Sequence, residues 1–132
     1  MSLTDEIRQS YLSAQQELIE TEEIDERSVA ISLPLHFSGN TRIELGITRA
    51  GDDLYIISDS AQTIGELYQA GYSLRGEIRD RISEIVNSWQ AKLVGNTITR
   101  SCKKIELGFA IHQLGEAAKT IGDAYLAYRH RP

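Results

Sequence analysis

The apolar residues near the N-terminus have a helical spacing. They recur every three or four positions, and we call them the N-terminal stripe: Leu3, Ile7, Tyr11, Ala14 and Leu18. Residues at this spacing lie on one face of an α-helix. The sequence therefore predicts an amphipathic helix over about residues 4–21.

After Arg27 the apolar residues alternate with polar ones, which is typical of half-buried strands. One run covers residues 29–37 and a second covers 42–48, while residues 54–57 are apolar on both faces, as in a central strand. Because Pro34 has no N–H to donate, its stretch of the first run is predicted at a sheet edge. The three runs predict an antiparallel meander.

Signals for helix ends follow the meander. Thr63 and Glu66 match a capping box, which predicts a short helix over about residues 64–70. Gly71 is placed to adopt the left-handed conformation that often ends a helix. Ser73 is the predicted cap of the next, longer helix.

A seven-residue unit is repeated three times between residues 107 and 127. Each copy has Leu or Ile, then Gly, any residue and Ala. Because a glycine inside a helix costs about 1 kcal/mol relative to alanine, three in register indicate that another element approaches the helix closely. The predicted helix, about residues 106–128, carries a contact face made of Leu107, Gly108, Ile111, Leu114, Gly115, Ala118, Ile121, Gly122 and Tyr125.

The contact face packs either against a helix of the same chain or against a second copy. A helix of about 23 residues is roughly 35 Å long, which is longer than three strands need for cover. We therefore expect part of the face to form a two-fold homodimer.

These elements predict one α+β domain over residues 1–132: an antiparallel β-meander plus a short β-ribbon, covered by helices, with long N- and C-terminal helices. The ribbon is predicted from Gly95-Asn96, which suits a two-residue hairpin turn. The first and last helices are expected to lie against each other or against a second copy.

The composition is that of an ordinary globular domain, with 41% apolar and 25% charged residues. No apolar run approaches the roughly 18 residues of a membrane span, so no membrane partner is expected. The N-terminus lacks the basic and apolar regions of a secretion signal, which predicts a cytoplasmic protein. A single cysteine, Cys102, agrees with a reducing compartment.

The net charge of −5 is unevenly distributed along the chain. Residues 1–28 contain eight acids and two bases, a net −6, whereas the remainder has eleven acids and twelve bases, a net +1. One interpretation is a solvated helix end followed by a linker. The other is an acidic patch for a basic partner.

The middle of the chain resembles a known family. Its marker residues are the run Tyr55-Ile56-Ile57-Ser58-Asp59, followed by Thr63, Leu67 and Gly71. Over about residues 27–74 the sequence is similar to a family of small phage and prokaryotic domains of unknown function, although Ala61-Gln62 stands where that family has glycine. The resemblance implies no reaction, only a prophage or mobile-element setting in which small proteins often inhibit or regulate others.

Asp59 follows the predicted central strand and precedes the cap at Thr63. A carboxylate there could be catalytic or bind a metal. The alternative is a structural role, in which Asp59 accepts backbone N–H groups of the turn and fixes the corner between strand and helix. We predict the structural role, since a metal nuclease would need a lysine near Glu44 or Asp53 and the sequence has none there.

Other chemistry is not indicated, and neither a cofactor nor an enzymatic activity is predicted. His36, His112 and His130 are too far apart in sequence for a metal-binding motif. Cys102 precedes Lys103 and Lys104, which could lower the pKa of its thiol, but the same residues suit the solvated end of a ribbon.

Nucleic-acid binding is an alternative that the charge pattern does not favour. The candidate bases are interleaved with acids: Arg75, Arg79, Lys92, Arg100, Lys103, Lys104, Arg129 and Arg131. The predicted function is therefore a protein-interaction module of phage or mobile-element type. Such a module would be a homodimer that inhibits or regulates a host or phage protein, for example in defence; the other alternative is a small enzyme that uses Asp59.

Overall fold

The computed structural model describes residues 2–126. The helices are α1 (Leu3–Leu18), α2 (Gln62–Gln69), α3 (Gly76–Ser88) and α4 (Leu107–Tyr125), with a 3-10 turn at Lys104–Glu106 before α4. The strands are β1 (Glu20–Glu23), β2 (Ser28–His36), β3 (Arg42–Gly51), β4 (Leu54–Ser58), β5 (Lys92–Val94) and β6 (Thr97–Cys102). The predicted α+β class is confirmed. The predicted end of the last helix at Tyr128 lies outside the described residues, as do Arg129, His130 and Arg131.

The strands form one antiparallel sheet of six in the order β1-β2-β3-β4-β6-β5. The predicted meander is present as β2, β3 and β4, and Gly95 has the positive φ of +61° that the predicted hairpin turn requires. The ribbon of β5 and β6 is not separate, however. Because β6 pairs with β4 from Tyr55–Cys102 to Ser58–Thr99, it extends the same sheet and makes β4 central.

Strand β1 is absent from the sequence prediction, which continued the first helix to residue 21. The helix ends at Leu18, and β1 then pairs with β2 from Glu20–Ser32 to Glu23–Val29. All four residues of β1 are exposed, so the strand has no alternation of apolar and polar residues that could have revealed it. The strand forms by pairing with β2, which depends on the tertiary structure and not on a local sequence pattern.

The prediction for Pro34 is confirmed. Pairing of β1 with β2 ends at Ser32, so among the described residues β2 has no partner on that side at Pro34. The register between β2 and β3 also shifts between Ser32 and His36. The proline therefore lies at an edge, where its missing N–H breaks no ladder.

Helices α2, α3 and α4 cover one face of the sheet. Helix α4 crosses β2, β3, β4 and β6, α3 lies beside α4 and β5, and α2 contacts α4 and β6. Together they enclose one apolar core, whose most buried members include Ile43, Leu45, Ile57, Ile64, Ile82, Ile98, Leu114 and Ile121. The other face carries short polar side chains, such as Ser28 hydrogen-bonded to Thr48 at 3.1 Å.

The glycine repeat of α4 contacts a strand of the same chain. A Cβ atom on Gly115 would lie 2.6 Å from Leu33 Cδ1, and one on Gly122 would lie 2.7 Å from Phe37 Cδ1, whereas Gly108 faces open space. Two of the three glycines therefore allow the close approach that the repeat predicts. The expected neighbour was wrong, since it is β2 and not another helix.

The predicted dimer face is corrected accordingly. Five of its nine members are buried in the core of their own chain: Leu114, Gly115, Ala118, Ile121 and Gly122. Leu107, Ile111 and Tyr125 are half-buried, and Gly108 is exposed. The reason is the size of the sheet: α4 crosses four strands, β2, β3, β4 and β6, and not only the three of the predicted meander, so more of its length packs within the chain.

Candidate interaction surface

Asp59 joins three separate parts of the fold by hydrogen bonds. Its Oδ1 accepts the N–H of Ala61 at 3.0 Å and that of Ile98 at 2.9 Å, and its Oδ2 accepts the N–H of Thr63 at 3.1 Å. The two hydrogen bonds from the turn are as predicted, whereas the sequence does not predict the one from Ile98 of β6. The side chain is only 1% exposed, so both carboxylate oxygens are held by backbone donors inside the protein.

Thr63 does not cap helix α2 as predicted. The helix begins at Gln62, after Ala61 in the left-handed region at φ +64°, and Thr63 is buried in its first turn. Asp59 instead receives the N–H that a capping side chain would take. Gly71 does end the helix as predicted, with φ +93° and with Tyr72 N–H bonded to the carbonyl of Leu67 at 2.9 Å.

The structure corrects the predicted cap of α3 and shows the surroundings of Cys102. Ser73 does not cap α3, because the helix begins only at Gly76 and Arg75 precedes it without a capping side chain. Cys102 is buried, and burial raises the pKa of its thiol, with Arg100 as the main opposing charge. The neighbouring lysines therefore do not activate this thiol.

His36 lies at the end of β2 and His112 on α4, both exposed. Within residues 2–126, no group of three or more His, Cys, Asp or Glu side chains could hold a metal ion. Over the same residues, every helix is too short or too polar to span a membrane.

Helix α1 presents the N-terminal stripe to solvent. Leu3 is 71% exposed, Ile7 62%, Tyr11 63% and Leu18 51%, and no residue of α1 is buried by the described chain. The helix is nevertheless well formed, since its first turn is capped by Ser2, whose Oγ accepts the N–H of Asp5 at 3.2 Å. The stripe is therefore a formed apolar surface without a partner among residues 2–126.

Arg42 holds the junction between α1 and β1 against the sheet. Its guanidinium donates to the carbonyls of Leu33 at 3.1 Å, Ser32 at 3.3 Å and Leu18, and it pairs with the carboxylate of Glu20 at 3.5 Å. Ser32 is the last residue of β2 that pairs with β1, Leu33 is the first beyond that pairing, and Leu18 ends α1. Arg42 thus fixes where α1 leaves the body of the protein.

An apolar groove begins at the junction where α1 extends away from the sheet. Its first part is a cavity of about 500 Å³ lined mainly by Tyr11, Gln15 and Ile19 near α1, Ile31, Leu33 and Leu35 of β2, and Gly108, Ile111 and His112 of α4. A second cavity of about 360 Å³ shares Ile31 and Ile111 with the first and continues past Val29, Ile47 and Tyr55. We call the two together the β2–α4 groove.

The groove is open because α4 covers only part of β2. Leu33 and Phe37 are buried under the glycines of α4, whereas Val29, Ile31 and Leu35 remain half-buried. Helix α1 does not fill the gap, because its cap residue Ile19 is already extended and leads directly into β1. A half-buried strip of sheet is therefore left beside α4.

Acidic residues surround this groove. The second cavity is lined by Glu23, Asp25 and Glu26 with Arg27 and Arg49, and Glu116 lines the first, which gives four acids and two bases. Glu20 lines neither cavity and pairs with Arg42 instead. Glu23, Asp25 and Glu26 of the acidic N-terminal segment thus form one rim of the groove.

The sequence identified part of this surface. Tyr11 of the N-terminal stripe and Leu107, Gly108 and Ile111 of the predicted contact face line the groove. For Ile31 and Leu35 the sequence predicts only a place on the apolar side of the half-buried strand over residues 29–37. No signal in the sequence distinguishes a strand residue under a helix from one beside it, because both have the same alternation.

Comparisons of the chain with protein-family models, with curated proteins and with solved structures give no match.

Proposed function

We propose that this protein is a non-enzymatic interaction module that binds another protein through the N-terminal stripe and the β2–α4 groove. The exposed stripe on α1 is the observation that carries the proposal. Four bulky apolar side chains, each more than half exposed, lie on one face of a single helix. Contiguous apolar surface of this kind marks interaction sites in many proteins.

The energetics of α1 support a binding role. Isolated helices of about 12–15 residues are marginal in water, and most helices gain their stability by packing an apolar face. Helix α1 has 16 residues and none of them is buried within residues 2–126. A partner that covers the stripe would supply the stabilisation that packing gives to other helices.

The hydrogen bonding of Asp59 supports a module without catalysis. The enzyme alternative depended on this carboxylate, and three backbone N–H groups occupy it in the interior. The buried Cys102 has a raised pKa and is poorly suited to act as a nucleophile. Inhibition or regulation of the partner would then follow from steric occlusion of the surface that the stripe covers.

A second copy of the chain is a further possible occupant of the stripe. The homodimer expected from the sequence relied on the glycine repeat, which β2 of the same chain now covers at Gly115 and Gly122. Pairing of two α1 helices would have to overcome the repulsion between their acids. We therefore favour a partner protein over a second copy of the chain as the occupant of the stripe.

The proposal is tested by affinity capture from nuclease-treated host lysate with three versions of the protein. The wild type is compared with Ile7→Glu/Tyr11→Glu, which places two charges on the stripe, and with Gln9→Glu/Gln16→Glu, which places two on the opposite face of α1. We expect at least one protein that the wild type and the second variant retain and the first variant loses. If no captured protein depends on the stripe, the proposal is wrong.

A further inference from the structure

We propose that the β2–α4 groove receives a cationic amphipathic helix from the partner protein. This inference depends on the proposed function and specifies the chemistry of its partner. It combines three observations: the shape of the uncovered strip of sheet, its apolar floor and the acidic rim beside it.

The uncovered strip has the dimensions of one helix. Neighbouring strands lie about 4.8 Å apart and a helix with its side chains is about 10–12 Å wide, so one helix covers about two strands. Helices α2, α3 and α4 lie over the part of the sheet from β2 to β5. Helix α1 contacts β2 without burying any of its own residues, so Val29 and Ile31 remain half-buried and β1 remains exposed. One helix position beside α4 is therefore open.

The floor of that position is apolar along its length. Ile31 and Ile111 line both cavities and form its centre, with Leu35 and Tyr11 towards one end and Val29 towards the other. An entering helix would place apolar residues at i, i+3, i+4 and i+7 on this floor, as helices do in other hydrophobic grooves. The opposite face of that helix would remain in solvent.

The rim determines the charge of the occupant. Four acids line the groove, Glu23, Asp25, Glu26 and Glu116, against the two bases Arg27 and Arg49. Lysine or arginine side chains at the edges of the bound helix would lie near Glu23 and Glu26, where their long apolar stems can also cover the floor. A second copy would bring its own acidic α1 and be repelled.

An added strand at the free edge of β1 is the competing arrangement. That edge has only four residues, three of which are glutamates, and charged short edge strands are a common way to prevent strand addition. It also lies outside the apolar floor. The observations therefore favour a helix in the groove.

The test uses a synthetic probe of about 18 residues, which gives five helical turns. The probe has Leu and Ile on one face and Lys on the other, and carries a fluorophore for anisotropy. Two control peptides have the same composition in scrambled order, or Glu in place of each Lys. We expect micromolar binding of the probe and at least about tenfold weaker binding of both control peptides. Salt should weaken binding of the probe, because the screening length falls from about 10 Å at 0.1 M to about 3 Å at 1 M.

Charge reversal at the rim tests the location of binding. The double substitution Glu23→Lys/Glu26→Lys should lower the affinity for the probe by about tenfold or more, since two attractive contacts become repulsive. The matched control, Asp80→Lys/Glu84→Lys on the exposed face of α3, makes the same change in net charge away from the groove and should leave binding nearly unchanged. In methyl spectra of isoleucine-labelled protein, Ile31 and Ile111 should shift on binding and the core residue Ile82 should not.

Several outcomes would overturn the inference. Equal binding of the Lys and Glu peptides, or equal effects of the two charge-reversal variants, would show that the rim does not select charge. Protection of β1 amides from hydrogen exchange by the probe would indicate strand addition. A dimer in sedimentation experiments that must dissociate before the probe binds would make a second copy the occupant. If the probe fails while lysate capture still depends on the stripe, only this inference falls; if both fail, the proposed function falls with it.

Discussion

Helices α1 and α4 both carry apolar residues at helical spacing, yet only α4 packs into the core. Seven residues of α4 are buried, whereas none of α1 is buried within the described chain. The difference lies in side-chain size. Helix α4 has rows of glycine and alanine that let β2 approach its backbone, while the stripe of α1 consists mostly of large side chains on a helix held at one end by Arg42.

The comparison shows that periodicity and small residues carry different information. The period predicts a helix with an apolar face in both cases. The small residues predict close contact with a neighbour, and only α4 has them in register. The following experiments test whether this contrast between a packed and an unpartnered helix is correct, beginning with the largest expected effect.

Gly115→Leu should destabilise the protein by about 3 kcal/mol or more, because even a Cβ atom at this position would lie 2.6 Å from Leu33 Cδ1. Gly108→Leu, which faces open space, should change stability by less than about 1 kcal/mol. Urea unfolding followed by circular dichroism measures both. Equal effects at the two glycines would show that α4 does not pack on β2 as described.

Asp59→Ala should lower the free energy of unfolding by about 2–3 kcal/mol, since buried backbone donors at Ala61, Thr63 and Ile98 lose their acceptor. Ser60→Ala, an exposed neighbour, is the control. Thermal and urea unfolding give the values. A stable, folded Asp59→Ala protein that has lost its biological activity would contradict the structural role and revive the enzyme alternative.

Arg42→Ala should cost about 1–2 kcal/mol, because it removes the donor shared by the carbonyls of Leu18, Ser32 and Leu33. Hydrogen exchange should become faster in α1 and β1 and remain unchanged in α4. Arg42→Lys retains the charge but not the several donors, so an intermediate effect is expected. Uniformly faster exchange would mean that Arg42 supports the whole fold and not only the attachment of α1.

Ile7→Ser should change stability by no more than about 0.5 kcal/mol, as expected for an exposed position. Gln9→Ser on the opposite side of α1 should behave in the same way. Light scattering at tens of micromolar accompanies the melting curves of both variants. A lower melting temperature and a lower mass for Ile7→Ser alone would show that a second copy covers the stripe.

The sequence by itself determined the local features of this fold. Alternation located β2 and β3, a continuous apolar run located β4, and three- and four-residue spacing located the helices. Gly71 and Gly95 marked a helix end and a hairpin turn. The carboxylate of Asp59 was correctly assigned to the turn that follows β4. Each of these depends on residues close together in the chain, where backbone conformation and side-chain period are encoded directly.

Only the tertiary structure decided which elements are neighbours. The four exposed residues of β1 became a strand by pairing with β2, and β6 joined the sheet by pairing with β4. The glycines of α4 indicated a close contact, but its partners, Leu33 of β2 and Phe37 directly after this strand, lie about 80 residues away in the sequence. The groove exists because α4 covers only part of β2 while α1 continues straight into β1, and no local pattern encodes that geometry.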